Sequence, residues 1–216
     1  ALQSLWRFYQ AAPDEADWPA YFEAADRARS MAAEVAATHG NAVPEKWNSR
    51  VAPYLLKIYP YLPEPEATAI LGIASGASFA AVLGGDPAGK AVSTLDVAYA
   101  VEGLLQHADT KYWQLLNAGH ALTQRRNADG GLSATGEEGS PSHAGLTAQA
   151  ARLWASIDAA GFEEPLRRAM SLLEKLFEDK GVRQDSATAK YPVIATLQAL
   201  QARAFVAHGP NPVLLV

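Results

Sequence analysis

Apolar residues recur along this chain at intervals of three and four, the spacing that lines one face of an α-helix. Leu2 to Ala12 predicts a short first helix, stopped by Pro13. Asp17 can cap a second, with Pro19 in its first turn and Gly40 at its end. Phe22, Ala25, Ala32 and Val35 give that helix its apolar stripe. Pro44 opens a third, with Trp47, Val51, Tyr54, Leu55, Ile58 and Tyr59 on one side and Pro53 to kink or shorten it. Pro60 to Pro65 reads as a stiff connector. Glu66 to Leu83 is apolar all round, which predicts a buried central helix.

The second half is more regular. Helices are expected over Thr94 to His107, from an Asp109 cap to Arg126, from a Ser142 cap to Gly161, over Glu163 to Lys180, and from Ser186 to about Ala207. A long loop, Asn127 to Ser142, separates the second and third of these. Gly181 closes the fourth, and the tail from His208 to Val216 is irregular. No segment has the alternation or length of a convincing strand. Three helices open with similar text around Thr94, Thr147 and Thr188, spacings that suit one helix–turn–helix unit plus its loops. The pattern predicts an all-α fold of about nine helices. Antiparallel hairpins would form an incomplete α/α-toroid or a curved bundle. One domain spans 1–216, with possible halves at 1–90 and 91–216.

Composition sharpens this picture by exclusion. The chain has 216 residues, of which 49% are hydrophobic and 19% charged, so it can bury a real core. A net charge of −5 makes it a poor nucleic-acid binder. Residues 91–166 hold four basic side chains against nine acidic ones, so the negative charge is concentrated there. There is no cysteine, which excludes disulfides, thiolate zinc sites and cysteine nucleophiles. No run of about twenty apolar residues exists, so no membrane span is expected. Cytoplasmic and periplasmic or secreted locations both fit, and the Ala1 start is compatible with a removed leader.

One stretch raises the question of nucleotide binding. Gly84 to Ala91 reads GGDPAGKA, one residue short of a phosphate-binding loop. Ala91 stands where a hydroxyl would hold magnesium, and the preceding segment reads as helix rather than strand. Gly84 and Gly85 ending a helix, with a turn at Asp86-Pro87, explain the same residues. No cofactor is expected. No histidine or carboxylate spacing typical of a metal site occurs, so no metal is expected either.

The chemistry concentrates instead in the long loop. Gln124-Arg125-Arg126-Asn127-Ala128-Asp129-Gly130-Gly131-Leu132 is a helix stop with turn chemistry. Asp129, Glu137 and Glu138 are carboxylates of the kind that flank a glycosidic bond during cleavage. His143 is a candidate base beside them. Tyr112, His120, Arg125 and Arg126 are candidate ligand-binding residues, the arginines as neutralisers of an acidic substrate. The text from Gln124 to Leu132, followed by Thr147 to Ala155, resembles the repeat of α/α-toroid proteins. These include squalene-type terpene cyclases, protein prenyltransferase β-subunits and some polysaccharide lyases. The resemblance implies a toroidal arrangement of hairpins. The clustered aspartates of the cyclases and the zinc-ligating cysteine of the prenyltransferases have no counterpart here.

Two functions follow as expectations. The first is a non-catalytic helical scaffold that binds a protein partner. Its exposed aromatics would come from the first half, where Trp6, Phe8, Tyr9, Trp18, Tyr21, Phe22, Trp47, Tyr54, Tyr59 and Tyr61 crowd together. The second is a carbohydrate-directed protein, either glycan-binding or a lyase or hydrolase, using the 127–143 loop on an oligosaccharide. The scaffold leads, because the sequence contains no complete catalytic set. An isoprenoid pocket ranks third.

Overall fold

The structure is a computed structural model that describes residues 93–106, 110–135 and 139–210, together with six positions between 19 and 34. Those six (Pro19, Glu23, Asp26, Arg27, Ser30 and Glu34) are helical and exposed, within the second expected helix. The other expectations for residues 1–92, including the GGDPAGKA stretch and the aromatic cluster, lie outside the described residues.

Five helices and one two-stranded hairpin make up the described part. Helix α1 is Thr94–Gln106, α2 Tyr112–Thr123, α3 Ala144–Asp158, α4 Glu163–Leu176 and α5 Val193–His208. Strands β1 (Phe177–Glu178) and β2 (Gly181–Val182) pair antiparallel, Phe177 with Val182 and Glu178 with Gly181.

Local chemistry starts and stops these helices. Ser93 and Asp96 cap α1 reciprocally: the Ser93 hydroxyl donates to Asp96 Oδ2 (2.7 Å) and accepts from the Asp96 N–H (3.2 Å). The Lys111 N–H donates to Gln114 Oε1 at the start of α2. Helix α4 is strongly amphipathic, burying Leu166, Ala169, Leu172, Leu173 and Leu176, with Glu163 and Glu164 in its first turn. Asp158 Oδ1 accepts from the Gly161 N–H and tightens the short corner between α3 and α4.

Helix α3 is the centre. All its residues except Ser156 and Asp158 are buried, which its Ala, Gly and Leu content permits. Helix α2 runs antiparallel to it: Tyr112 reaches Asp158, while Gly119 accepts from Trp154 Nε1 at 3.1 Å. Gly119 has no substitute here, because a Cβ would lie 2.4 Å from the Phe162 ring. Helix α5 runs parallel to α3, Gln198 beside Gly145 and Gln201 bonded to Arg152. Thus α1, α3 and α5 lie side by side, with α2 and α4 as the returning arms of the hairpins.

Several boundaries differ from expectation, each for a physical reason. Helix α2 stops at Thr123 instead of Arg126, because Arg126 turns outward to bridge with Leu132. Ser142 does not cap α3, since its hydroxyl donates to Asp129 Oδ1 (2.7 Å); His143 holds the cap position instead. Helix α4 ends at Leu176, not Lys180. Gly181, with φ +118°, is a hairpin residue and not a helix terminator. Helix α5 begins at Val193, not Ser186. Pro192 disfavours helix in the residue before it, and Asp185 Oδ1 accepts from the Ala187 and Thr188 N–H groups in a turn.

The repeat is present in a different register from the one the text suggests. The Leu132 N–H donates to Thr147 Oγ1 at 3.0 Å, and the Val182 N–H donates to Thr196 Oγ1 at 3.0 Å. Each threonine is the fourth residue of its helix, and each donor follows a glycine and itself pairs back across a short bridge or hairpin, Leu132 with Arg126 and Val182 with Phe177. Thr196, not Thr188, is therefore the partner of Thr147, forty-nine residues on.

Candidate functional site

Residues 126–135 and 139–143 pack as a strap along α4 and into the start of α3. The Asn127 N–H donates to Gly131 O and the Gly130 N–H to Asn127 O, closing a tight turn. Asp129 Oδ1 accepts from the Gly131 N–H (2.9 Å) and the Ser142 hydroxyl. Asn127 Nδ2 donates to Ser140 O and Ser142 Oγ, both at 2.9 Å. Arg168 donates to Ala128 O and holds the outer edge. One oxygen of Asp129 is thus engaged in shaping the loop.

His143 occupies the N-cap of α3, where Nδ1 faces the Leu146 N–H at 3.5 Å and the His143 N–H donates to Leu132 O. Burial pushes its imidazole below the ordinary histidine value, with the Asp185 carboxylate pulling the other way. Ser142, the residue before His143, bonds to Asp129. Glu137 and Glu138 lie outside the described residues.

Of the remaining candidates, Tyr112 and His120 lie toward the opposite end of α3, whose length is about 20 Å by helix rise, while Arg126 bridges to Leu132 beside the loop. Tyr112 donates to Asp158 Oδ2 at 3.0 Å, which raises the phenol's pKa. The Gly161 N–H first, and then Tyr112, hold the Asp158 carboxyl below its usual value. His120 is exposed and tilts against the Phe162 ring, 5.1 Å between centroids. Arg126 pairs with Glu164 at 2.7 Å, and this contact, ahead of Arg168, lowers the Glu164 pKa. Arg125 is half-buried and desolvated. The eight sequence candidates therefore divide. Asp129 bonds to Ser142, the residue before His143, at the start of α3; Arg126 enters the same loop and sends its side chain to Glu164; Tyr112 and His120 lie toward the α3–α4 corner.

Sequence reasoning missed a polar cluster in the interior. Glu102 of α1, Gln149 and Arg152 of α3, and Gln201 of α5 line up across the three parallel-layer helices. Gln149 Nε2 donates to Glu102 Oε2 (3.0 Å), and Arg152 Nη1 donates to Gln201 Oε1 (3.0 Å). Glu102, Gln149 and Arg152 are almost fully buried. A carboxylate and a guanidinium removed from water are held by amide partners, an arrangement that fixes helix register. The available signal was their position: each falls among the apolar residues of an Ala-rich helix.

Comparison with protein-family models, with curated proteins and with solved structures finds no match. Among the described residues, no helix is long and apolar enough to cross a membrane, and no three histidines or carboxylates gather as a metal site.

Proposed function

We propose that this chain is a non-catalytic helical interaction domain. It would form a stretch of a curved array of antiparallel hairpins, about nine helices in an incomplete α/α-toroid, and present an outward helix face to a protein partner. The supporting observation is the outer side of α5. Val193, Ile194, Leu197 and Leu200 are between 47% and 73% exposed there. Contiguous exposed aliphatics mark a binding surface. The reading also accords with Asp129 accepting from the Gly131 N–H of its own turn and His143 from the Leu146 N–H in the first turn of α3.

The test compares capture from lysate by the wild-type chain and by an Ile194→Asp, Leu197→Glu double variant with an unchanged circular dichroism spectrum. A protein retained by the first and lost from the second supports the reading. Identical capture by both removes it.

One observation favours a second reading, saccharide binding. Trp113 is 58% exposed, and Asn117, His120 and Gln124 follow it on the same exposed face of α2. An aromatic platform beside amide and imidazole groups suits sugar stacking. Thermal shifts with neutral and acidic oligosaccharides that vanish in Trp113→Ala would carry this reading. Shifts that vanish in Asp129→Asn or His143→Ala would place the ligand at the loop instead.

A further inference from the structure

A polar stripe crosses the layer of parallel helices on the side away from α2. Gly145, Gln149, Arg152 and Ser156 follow one another at spacings of four, three and four, so they share one face of α3. Trp154, which meets Gly119 of α2, lies on the other side of that helix. Forty-nine residues on, Gln198 and Gln201 of α5 stand in the places of Gln149 and Arg152. Hydrogen bonds join the helices along this stripe. Gln149 Nε2 donates to Glu102 Oε2 of α1, and Arg152 Nη1 donates to Gln201 Oε1 of α5. The Gln198 amide lies over Gly145, where a Cβ would come within 2.5 Å of its Oε1.

Packing alone does not call for these residues. The other buried side chains of α3 are apolar, apart from the Thr147 joint. A buried carboxylate and guanidinium are costly to desolvate, and apolar replacements often serve stability as well or better. Such groups cluster where a protein binds or reacts. Here Glu102, Gln149 and Arg152 are buried, while Ser156, Gln198 and Gln201 are half-buried on the same stripe. The buried groups fix how the half-buried ones are presented. Gln201 Oε1 accepts from Arg152, so its amide nitrogen is the end turned to donate. The Ser156 hydroxyl donates to Arg152 O at 2.8 Å, so its oxygen is turned to accept. The one carboxylate and the one guanidinium offset each other, and the groups nearest the surface are neutral donors and acceptors, which match sugar hydroxyls. We propose that this stripe binds a neutral saccharide. Ser156, Gln198 and Gln201 contact it, and Glu102, Gln149 and Arg152 are positioning residues. The site goes beyond the interaction-domain reading. It lies across α3 from α2, so it is separate from the Trp113 face.

The test is thermal melting of the full chain with maltotriose, cellotriose and xylotriose, and with trigalacturonate as an anionic control, each at about 10 mM. At least one neutral trisaccharide should raise Tm by about 3 °C, the shift that a dissociation constant of about 1 mM produces. Trigalacturonate should not. Gln198→Leu, Ser156→Ala and Gln201→Leu should each remove most of the shift, and Trp113→Ala should keep it. Gln201→Leu also strips Arg152 of a partner, so Gln198→Leu and Ser156→Ala decide the matter if that variant fails to fold. No shift with any neutral trisaccharide overturns the site, and so does a shift that survives both Gln198→Leu and Ser156→Ala. A shift lost in Trp113→Ala but kept in Gln198→Leu overturns it too and leaves the α2 reading standing. A trigalacturonate shift that depends on Gln198 overturns the neutral class.

Discussion

Helices α3 and α5 occupy equivalent places in the fold and have opposite surroundings. Each carries a threonine at its fourth position that accepts from the returning strap, and the two run parallel in one layer. Helix α3 is buried all round and built from alanine, glycine and leucine. Helix α5 buries one face made of Ala195, Ala199, Ala202 and Phe205 and turns valine, isoleucine and leucine outward. The size of the residue at a repeated position thus matches its environment. Small residues stand where neighbouring helices close in, and larger ones where α5 is open. Apolar character alone does not distinguish the two helices; side-chain volume does.

The sharpest test of that difference is deletion of bulk on each helix. Trp154→Ala should destabilise the fold by about 3–5 kcal/mol in urea unfolding, because the indole is fully buried and bonded to Gly119. Leu197→Ala, measured in dilute protein, should stay within about 0.5 kcal/mol. Equal losses would mean that α5 is covered within the single chain. The polar positions give a second contrast. Gln149→Leu removes the amide that bonds the buried Glu102 carboxylate and should cost about 1.5–3 kcal/mol. The equivalent Gln198→Leu acts on a half-buried side chain and should cost well under half as much.

The threonine joints test the equivalence itself. Thr147→Val and Thr196→Val each strand a backbone N–H, that of Leu132 or Val182, and each should cost about 1–2 kcal/mol. A large inequality would break the repeat. The smallest effect is a pH dependence confined to the α3 side. A free histidine titrates near pH 6.5, and the folded His143 titrates lower. The unfolded chain therefore binds more protons over that interval. Stability is fully present above about pH 6.5 and is lost as pH falls through the folded value. His143→Asn keeps a capping side chain without the titration. Melting temperatures between pH 7.5 and 5.5 should show a flatter profile for that variant.

Much of the helical framework of 93–210 was legible in the sequence, because apolar spacing and glycine stops report local geometry. The α4–α5 connection was not. Phe177, Glu178 and Lys180 are compatible with helix, and strands two residues long show no alternation. Gly181 looks like a helix terminator until its backbone is seen in a hairpin. Ser142 is a good cap by type, but its hydroxyl bonds to Asp129, a tertiary contact that no local rule contains. The Asp-Gly-Gly turn was readable as turn chemistry, and Asp129 Oδ1 supplies it. Glu102, Gln149 and Arg152 resemble solvent-facing letters within alanine-rich text. Their burial depends on helices whose contacting residues are more than forty positions apart in the chain.

The paired threonine joints also bear on how such a chain could change length. Leu132 and Val182 begin two stretches that end in the same kind of hydrogen bond, so the chain between them is a bounded unit with matching ends. An insertion or deletion of a whole unit would rejoin one threonine to the other's strap and preserve the layer. A change of part of a unit would leave a threonine without its donor and shift every following helix out of register. The molecule's natural increment of growth is therefore about fifty residues, the spacing between one joint and the next.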